Sequence, residues 1–346
     1  MKIKHLNFEL NLEGNGIVNF DSKDQKYLWN RESKEGNKNV FSSVDNNNMY
    51  AKKVFFRDEE GKLGYKIKIS SDAIRNAIFK SDAIATNPSI MHHKSLLNSF
   101  IGSTMGLTRG YMFAGDETYK RKSPLTVGSA IQSNNAISYM EFHGRSGSKK
   151  VGDDSEKSDT SIFNKETVGD ITYTTKGFIN IQELQFLSCD PIFDRFSFNS
   201  DDYSILKTVL NNTLPNFDNE LGYYSLSTSA INVSEYGVKF NNEQSVYLIK
   251  ELLKRIISIN ISKATAYAKF QSLKIELVTD VCNPANNKSI EIKSIDDINA
   301  LEFDIEDFYV LADESEAKKQ RVHIEETIKA NTKKEADKKK SKKENN

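Results

Sequence analysis

Seven residues near the N-terminus alternate without a break: Leu6, Phe8, Leu10 and Leu12 face one way, and Asn7, Glu9 and Asn11 face the other. A period of two specifies an extended strand with one buried and one solvated face, so the chain has to build a sheet around this segment. Gly14, Asn15 and Gly16 follow, residues that tolerate a positive φ, and they predict a hairpin in which 17–20 returns as the next strand.

The rest of the chain mixes both periodicities. Residues 51–57 and 65–69 flank Asp58-Glu59-Glu60-Gly61, a turn signal, and predict a second hairpin. Ser71 or Asp72 then caps a helix carrying Ile74, Ile78 and Phe79 on one face, with Arg75 on another. Pro88 suits the first turn of a further helix, with Met91, Leu96, Leu97, Phe100 and Ile101 as its apolar stripe and an end near Gly106. Segments 168–174 and 178–187 are β-rich and predict a hairpin turning at Lys176-Gly177. Helices are expected over 203–210 and 243–259, and strands over 273–281 and 290–293. This interleaving of hairpins with amphipathic helices is an α+β pattern.

Three stretches cannot bury a core. Residues 21–48 are rich in Asn, Ser, Lys and Gly and read as a mobile inserted loop. Residues 145–159 carry almost no apolar side chain and read as a flexible excursion. After about Asp313 the chain is mostly Glu, Lys, Ala and Asn, and 329–346 holds eight lysines against three acids, which predicts a disordered basic tail.

No run approaches the roughly 20 apolar residues that span a bilayer, and the alternating N-terminus has no signal-peptide core, so a cytoplasmic protein with no membrane contact is expected. Cys189 and Cys282 stand far apart, outside any Cys or His cluster, so neither a disulfide framework nor a zinc site is suggested. The formal net charge is zero, but the charge is unevenly spread. Between 109 and 150 seven basic residues face three acidic ones, whereas between 271 and 316 twelve acids face three lysines. Such a chain has one part suited to a polyanion and another suited to a basic surface.

Catalytic signals are weak. His92 and His93 are adjacent, and on a helix adjacent side chains diverge by about 100°, which makes joint action on one metal or substrate difficult. The glycines at 102, 106 and 110 lack the Lys-Ser/Thr ending of a phosphate loop. The carboxylate pairs Asp153-Asp154 and Asp201-Asp202 lie in polar segments. No catalytic group, metal or cofactor is expected. Nucleic-acid signals are better: 107–124, LTRGYMFAGDETYKRKSP, interleaves Arg109, Tyr111, Phe113, Tyr119, Lys120, Arg121 and Lys122. Cations for phosphates and rings for unpaired bases occur there together, although Tyr111 and Phe113 serve equally well as core and Lys120 to Lys122 as a solvated turn.

Five segments, in this order and spacing, carry a resemblance: ISSDAIRNAIF (69–79), GLTRGY (106–111), KRKSPL (120–125), TSIFNKETVGDITY (160–173) and ELQFLS (183–188). Over roughly 3–270 the chain resembles the backbone subunit of the variant type I-F CRISPR Cascade, a branch of the Cas-seven family. The resemblance implies a modified RRM or ferredoxin-like palm over 1–312, with finger and thumb elements inserted at about 21–50 and 134–176, and a tail over 313–346. It also implies a non-enzymatic subunit whose partners are CRISPR RNA, target DNA through the guide, other copies stacked head to tail, and other Cascade subunits. The RNA-contacting set expected on this basis is Arg75, Arg109, Tyr111, Lys120, Arg121, Lys122, Arg145, Lys149, Lys150 and Lys165. The rival is a CRISPR-associated endoribonuclease of related fold, with His92, His93 and Asp170 as its candidates.

Overall fold

The computed structural model describes residues 2–20, 48–57, 60–80, 93–115, 117–150, 156–227, 233–279 and 287–328. The alternating segment becomes the strand His5–Asn15 at the centre of the main sheet. Asp170–Asn180 lies antiparallel on one side of it and Ala266–Val278 on the other. Outward from there the sheet runs to Asn260–Lys263 at one edge, and through Ala130–Gln132 and Leu63–Ile69 to Lys53–Arg57 at the other. The architecture is α+β, as the mixed periodicities require.

The two faces of the sheet differ as the alternation demands. Leu6, Leu10 and Leu12 are fully buried, and Phe8 nearly so. They share the core with the helix Asn242–Ile257, whose Leu248, Ile249, Leu252, Leu253 and Ile256 are also fully buried. Each such side chain stabilises the fold by about 1.5–3 kcal/mol through transfer from water. A capping box starts this helix: Gln244 N–H donates to Asn241 Oδ1 at 2.9 Å, and Asn241 N–H donates to Gln244 Oε1 at 3.0 Å. The opposite sheet face is polar and cross-linked between strands, with Asn7 Nδ2 donating to Glu276 Oε2 at 2.9 Å and Thr174 Oγ1 to Asn11 Oδ1 at 2.7 Å.

Four local expectations are corrected. Residues 17–20 do not return as a hairpin strand; Phe20 makes a single bridge to Ala51. The glycines before it serve close approach instead, since a Cβ on Gly14 would lie 2.3 Å from the Tyr267 carbonyl oxygen, and Gly16 has φ +71°. No turn occurs at Lys176-Gly177, because Asp170–Asn180 is one unbroken strand and Gly177 makes room for the Phe8 ring. A Cβ there would be 2.4 Å from Phe8 Cζ. The region expected as a flexible excursion is a long hairpin, Ser138–Lys150 paired with Glu156–Val168, because backbone pairing across a hairpin needs no apolar side chains. Of the insertion expected at 21–50, residues 21–47 lie outside the described residues, and Asn48–Met49 pairs in parallel with this hairpin.

The base of the long hairpin is held by one buried carboxylate. Glu166, 3% exposed, accepts from Ala51 N–H at 2.9 Å and Ser138 Oγ at 2.6 Å, and pairs with Lys53 Nζ at 2.8 Å. Three satisfied contacts are what a carboxylate needs in so dry a position.

The fourth correction concerns the C-terminal segment. A smaller four-stranded sheet orders Phe186–Ser188, Ser234–Lys239, Leu221–Leu226 and Tyr309–Leu311. Residues 314–328, expected to be disordered, form a helix. Asp313 caps it by accepting from Glu316 N–H at 2.9 Å, Ala317 is buried, and Arg321 Nη1 reaches the buried Asp190 carboxylate at 2.7 Å. Asp190 already accepts from Ile192 N–H and Tyr236 N–H, so the arginine completes the pairing of a desolvated charge. The lysine-rich 329–346 lies outside the described residues. Burial pushes the Cys189 thiol up to about 12, which makes it an inert core thiol; Cys282 lies outside the described residues.

Candidate nucleic-acid interface

Arg75, Arg109 and Tyr111 line one cleft together with Asp72, Asn76, Gly110, Met112 and Phe113. Arg75 projects from the helix Ser71–Ile78, and Arg109 ends the helix Thr104–Arg109. The chain passes from that helix into the strand Tyr111–Ala114 through Gly110 at φ +73°. A Cβ on Gly110 would sit 2.7 Å from both the Arg121 carbonyl oxygen and Ser123 N, so only glycine allows the turn that sets Arg109 beside Arg75.

The Arg75 guanidinium donates through Nη2 to the Arg109 carbonyl oxygen. Its pKa is lowered first by burial and then by the like charge of Arg109, with Asp72 opposing. Among the described residues neither arginine forms an ion pair with a carboxylate. Two half-buried cations held together in this way are suited to an anion from outside. Behind them Tyr111 stacks on Phe113 at 5.1 Å and donates its hydroxyl proton to the Ser197 carbonyl oxygen at 3.0 Å. Burial raises its pKa, so the phenol remains neutral. Tyr111 therefore supports the cleft wall, and Met112, 68% exposed, is the side chain its strand turns outward.

The other expected residues are not part of this cleft. Arg121 is 6% exposed, and its guanidinium donates to three backbone carbonyls: Leu107 O at 3.1 Å, Phe186 O at 2.8 Å and Glu183 O at 2.8 Å. It is a structural clamp without free access to RNA, contrary to the role expected of it. Lys120 pairs with Asp194 at 2.6 Å, and the exposed Lys122 lies 3.5 Å from Glu183. Lys165 sits at the foot of the long hairpin, donating to Thr265 Oγ1 at 2.6 Å with its ammonium 5.4 Å from the Phe20 ring centroid. Arg145, Lys149 and Lys150 belong to the strand Ser138–Lys150, paired with Ser161, Lys157 and Glu156, and their side chains lie outside the described set.

Two of the three endoribonuclease candidates are among the described residues. His93 precedes the helix Lys94–Ile101, with Nδ1 2.9 Å from Ser95 Oγ; Asp170 accepts from Asn15 Nδ2 at 3.0 Å; His92 lies outside the described residues. Among the described residues no group of three or more His, Cys, Asp or Glu side chains is placed to hold a metal ion, and no helix is long and apolar enough to cross a membrane.

Met112, Asn76 and Gly110 were missing from the expected set. Gly110 was visible in the motif GLTRGY, but nothing in the sequence told which face Met112 would take. No curated protein matches the chain. Among the solved structures that align with it, two are described as CRISPR RNA-guided surveillance complexes: one aligns at 10% identity over 79% of this chain and 68% of that one with a TM-score of 0.35. The other, such a complex in a pre-nicking state, aligns at 7% identity over 79% and 78% with a TM-score of 0.39. The family model described as type I-Fv CRISPR-associated protein Cas7fv-like matches residues 2–308, nearly the whole described core. The chain belongs to the Cas7fv-like family of type I-Fv CRISPR-associated proteins.

Proposed function

We propose that this protein is the non-enzymatic backbone subunit of a type I-F variant Cascade, binding CRISPR RNA and stacking head to tail along the guide spacer so that the guide pairs with target DNA in antiviral defence. In this reading the main sheet with its helices is a modified RRM palm, and the long hairpin is one of its inserted elements. The observation that carries the reading is the pair Arg75 and Arg109, half-buried, mutually repelling and unpaired with carboxylate among the described residues, in a member of a CRISPR family. A subunit that holds RNA by its phosphates leaves sequence reading to base pairing and needs cations in place of a reactive group.

Head-to-tail stacking joins two unlike surfaces. Exposed carboxylates are available in Asp296, Glu302 and Asp304, while Glu291 and Asp307 are paired with Lys293 and Lys239, and the unpaired ones suit a basic face of the next copy.

Fluorescence anisotropy with a labelled guide RNA, followed by a denaturing gel of the same sample, tests the proposal. Tight, salt-sensitive binding with the RNA intact is expected. Absence of binding contradicts it, and cleavage lost in His93→Ala establishes the endoribonuclease instead.

A further inference from the structure

We propose that the helix 314–328 is a hinged strap: it closes one wall of a cleft beside the small sheet, is latched by Arg321 on Asp190, and pivots at 312–313 about the fixed strand Tyr309–Leu311. This cleft shares no residue with the one that holds Arg75 and Arg109. Its volume is about 790 Å³, and of its lining residues only Arg321 comes from beyond residue 308, where the family match ends. The others lie between 117 and 236. The strap is thus an addition to a cleft that the shared core already contains.

The strand and the helix that follow that core are held very differently. Tyr309 is 1% exposed, its ring stacks on Phe186 with centroids 4.7 Å apart, and its hydroxyl accepts from Arg195 Nη1 at 2.9 Å. Ala312 N–H then donates to the Tyr223 carbonyl oxygen at 2.9 Å. Beyond that bond the helix has one buried residue, Ala317, while Val322 and Ile328 are 56% and 46% exposed. Its ion pairs Glu314–Lys318 and Arg321–Glu325 are internal, four residues apart, so they hold the helix together without holding it down. A helix that buries so little apolar surface gains little from docking beyond its latch.

The latch is asymmetric. Asp190 is 1% exposed, and its oxygens accept from Ile192 N–H and Tyr236 N–H as well as from Arg321 Nη1 at 2.7 Å. The acceptor is therefore built into the core, and the strap brings the donor. A carboxylate so desolvated is costly without its charge partner, which draws the strap shut. Opening widens access to the half-buried Ile192, Phe193, Phe196, Tyr223 and Tyr236 of the cleft, so the strap is a gate. Cys189 lines the same cleft beside the latch, is 4% exposed, and donates Sγ–H to the Tyr236 carbonyl oxygen at 3.6 Å. Undocking bares this thiol, which makes it a reporter of the open state.

The test labels the full-length protein with N-ethylmaleimide under native conditions and follows Cys189 by peptide mass mapping, which separates it from Cys282. Arg321→Gln should raise the labelling rate of Cys189 by on the order of tenfold or more, because it removes a charge-assisted bond to a buried carboxylate. Lys318→Gln, whose ion pair is internal to the helix, should label as the parent does. Hydrogen exchange in Arg321→Gln should quicken across 314–328 and stay unchanged in Tyr309–Leu311 and Asn242–Ile257. An unchanged Cys189 rate in Arg321→Gln overturns the latch, and so does equal acceleration by Lys318→Gln. Faster exchange in Tyr309–Leu311 or Asn242–Ile257 overturns the hinge, because the thiol is then bared by general unfolding.

Discussion

Arg121→Met is expected to lower the unfolding free energy by about 3 kcal/mol or more, while leaving RNA affinity per folded molecule unchanged. Methionine keeps much of the aliphatic length but brings no donor. Three carbonyl oxygens, of Leu107, Phe186 and Glu183, then lose their partners in a position only 6% exposed. Each buried polar group left unpaired costs roughly 1–3 kcal/mol, and the three carbonyls come from separate segments that the guanidinium ties together. Urea unfolding measures the stability, and anisotropy on the folded fraction measures binding. A stable variant that has lost RNA would return Arg121 to the interface.

The paired variant Arg75→Gln/Arg109→Gln should behave in the opposite way, folding normally and losing RNA. Its affinity is expected to fall by about a hundredfold or more, because each charge-assisted bond to phosphate contributes roughly 1.5–3 kcal/mol. The loss should be similar for all RNA sequences. The slope of log affinity against log salt should become shallower by about 1.4, two contacts at roughly 0.7 each on a single strand. Stability should change little. Arg75 has its pKa depressed by burial and by Arg109, so folding weakens its charged form, and replacing it by a neutral side chain relieves that cost at every pH below its folded pKa. A sequence-selective loss, or an unchanged salt slope, would show that these arginines do not bind phosphate.

Periodicity made the core legible and left its partners hidden. The alternation from Leu6 to Leu12 named the buried face correctly, but the strand is held by segments such as Glu276, 269 residues from its partner Asn7. With such partners invisible, Gly14 and Gly16 looked like a local turn when they are close-approach positions for the strand at Tyr267 and Ala266. Gly177 misled in the same way, since its reason is the Phe8 ring and not a reversal of the chain. Low apolar content was mistaken for looseness in the long hairpin, where the ladder itself supplies order, and in 314–328, where one buried ion pair and one alanine dock a charged helix.

The interface was legible where charge and exposure coincide and illegible where they part. Arg109 and Arg75 share the cleft, but Arg121, in the basic run Lys120 to Lys122, faces inward. Residue type alone cannot separate a phosphate ligand from a carbonyl clamp, because both uses need the same fork of donors.

The central claim, that copies of this protein coat a guide RNA in register, is tested most directly by light scattering on size-exclusion-purified complexes assembled on RNAs of increasing length. The account predicts that mass climbs in steps of one 39.2 kDa protomer, plus the added RNA, as the RNA lengthens. A single fixed protein mass at every RNA length, such as a closed dimer, would contradict it.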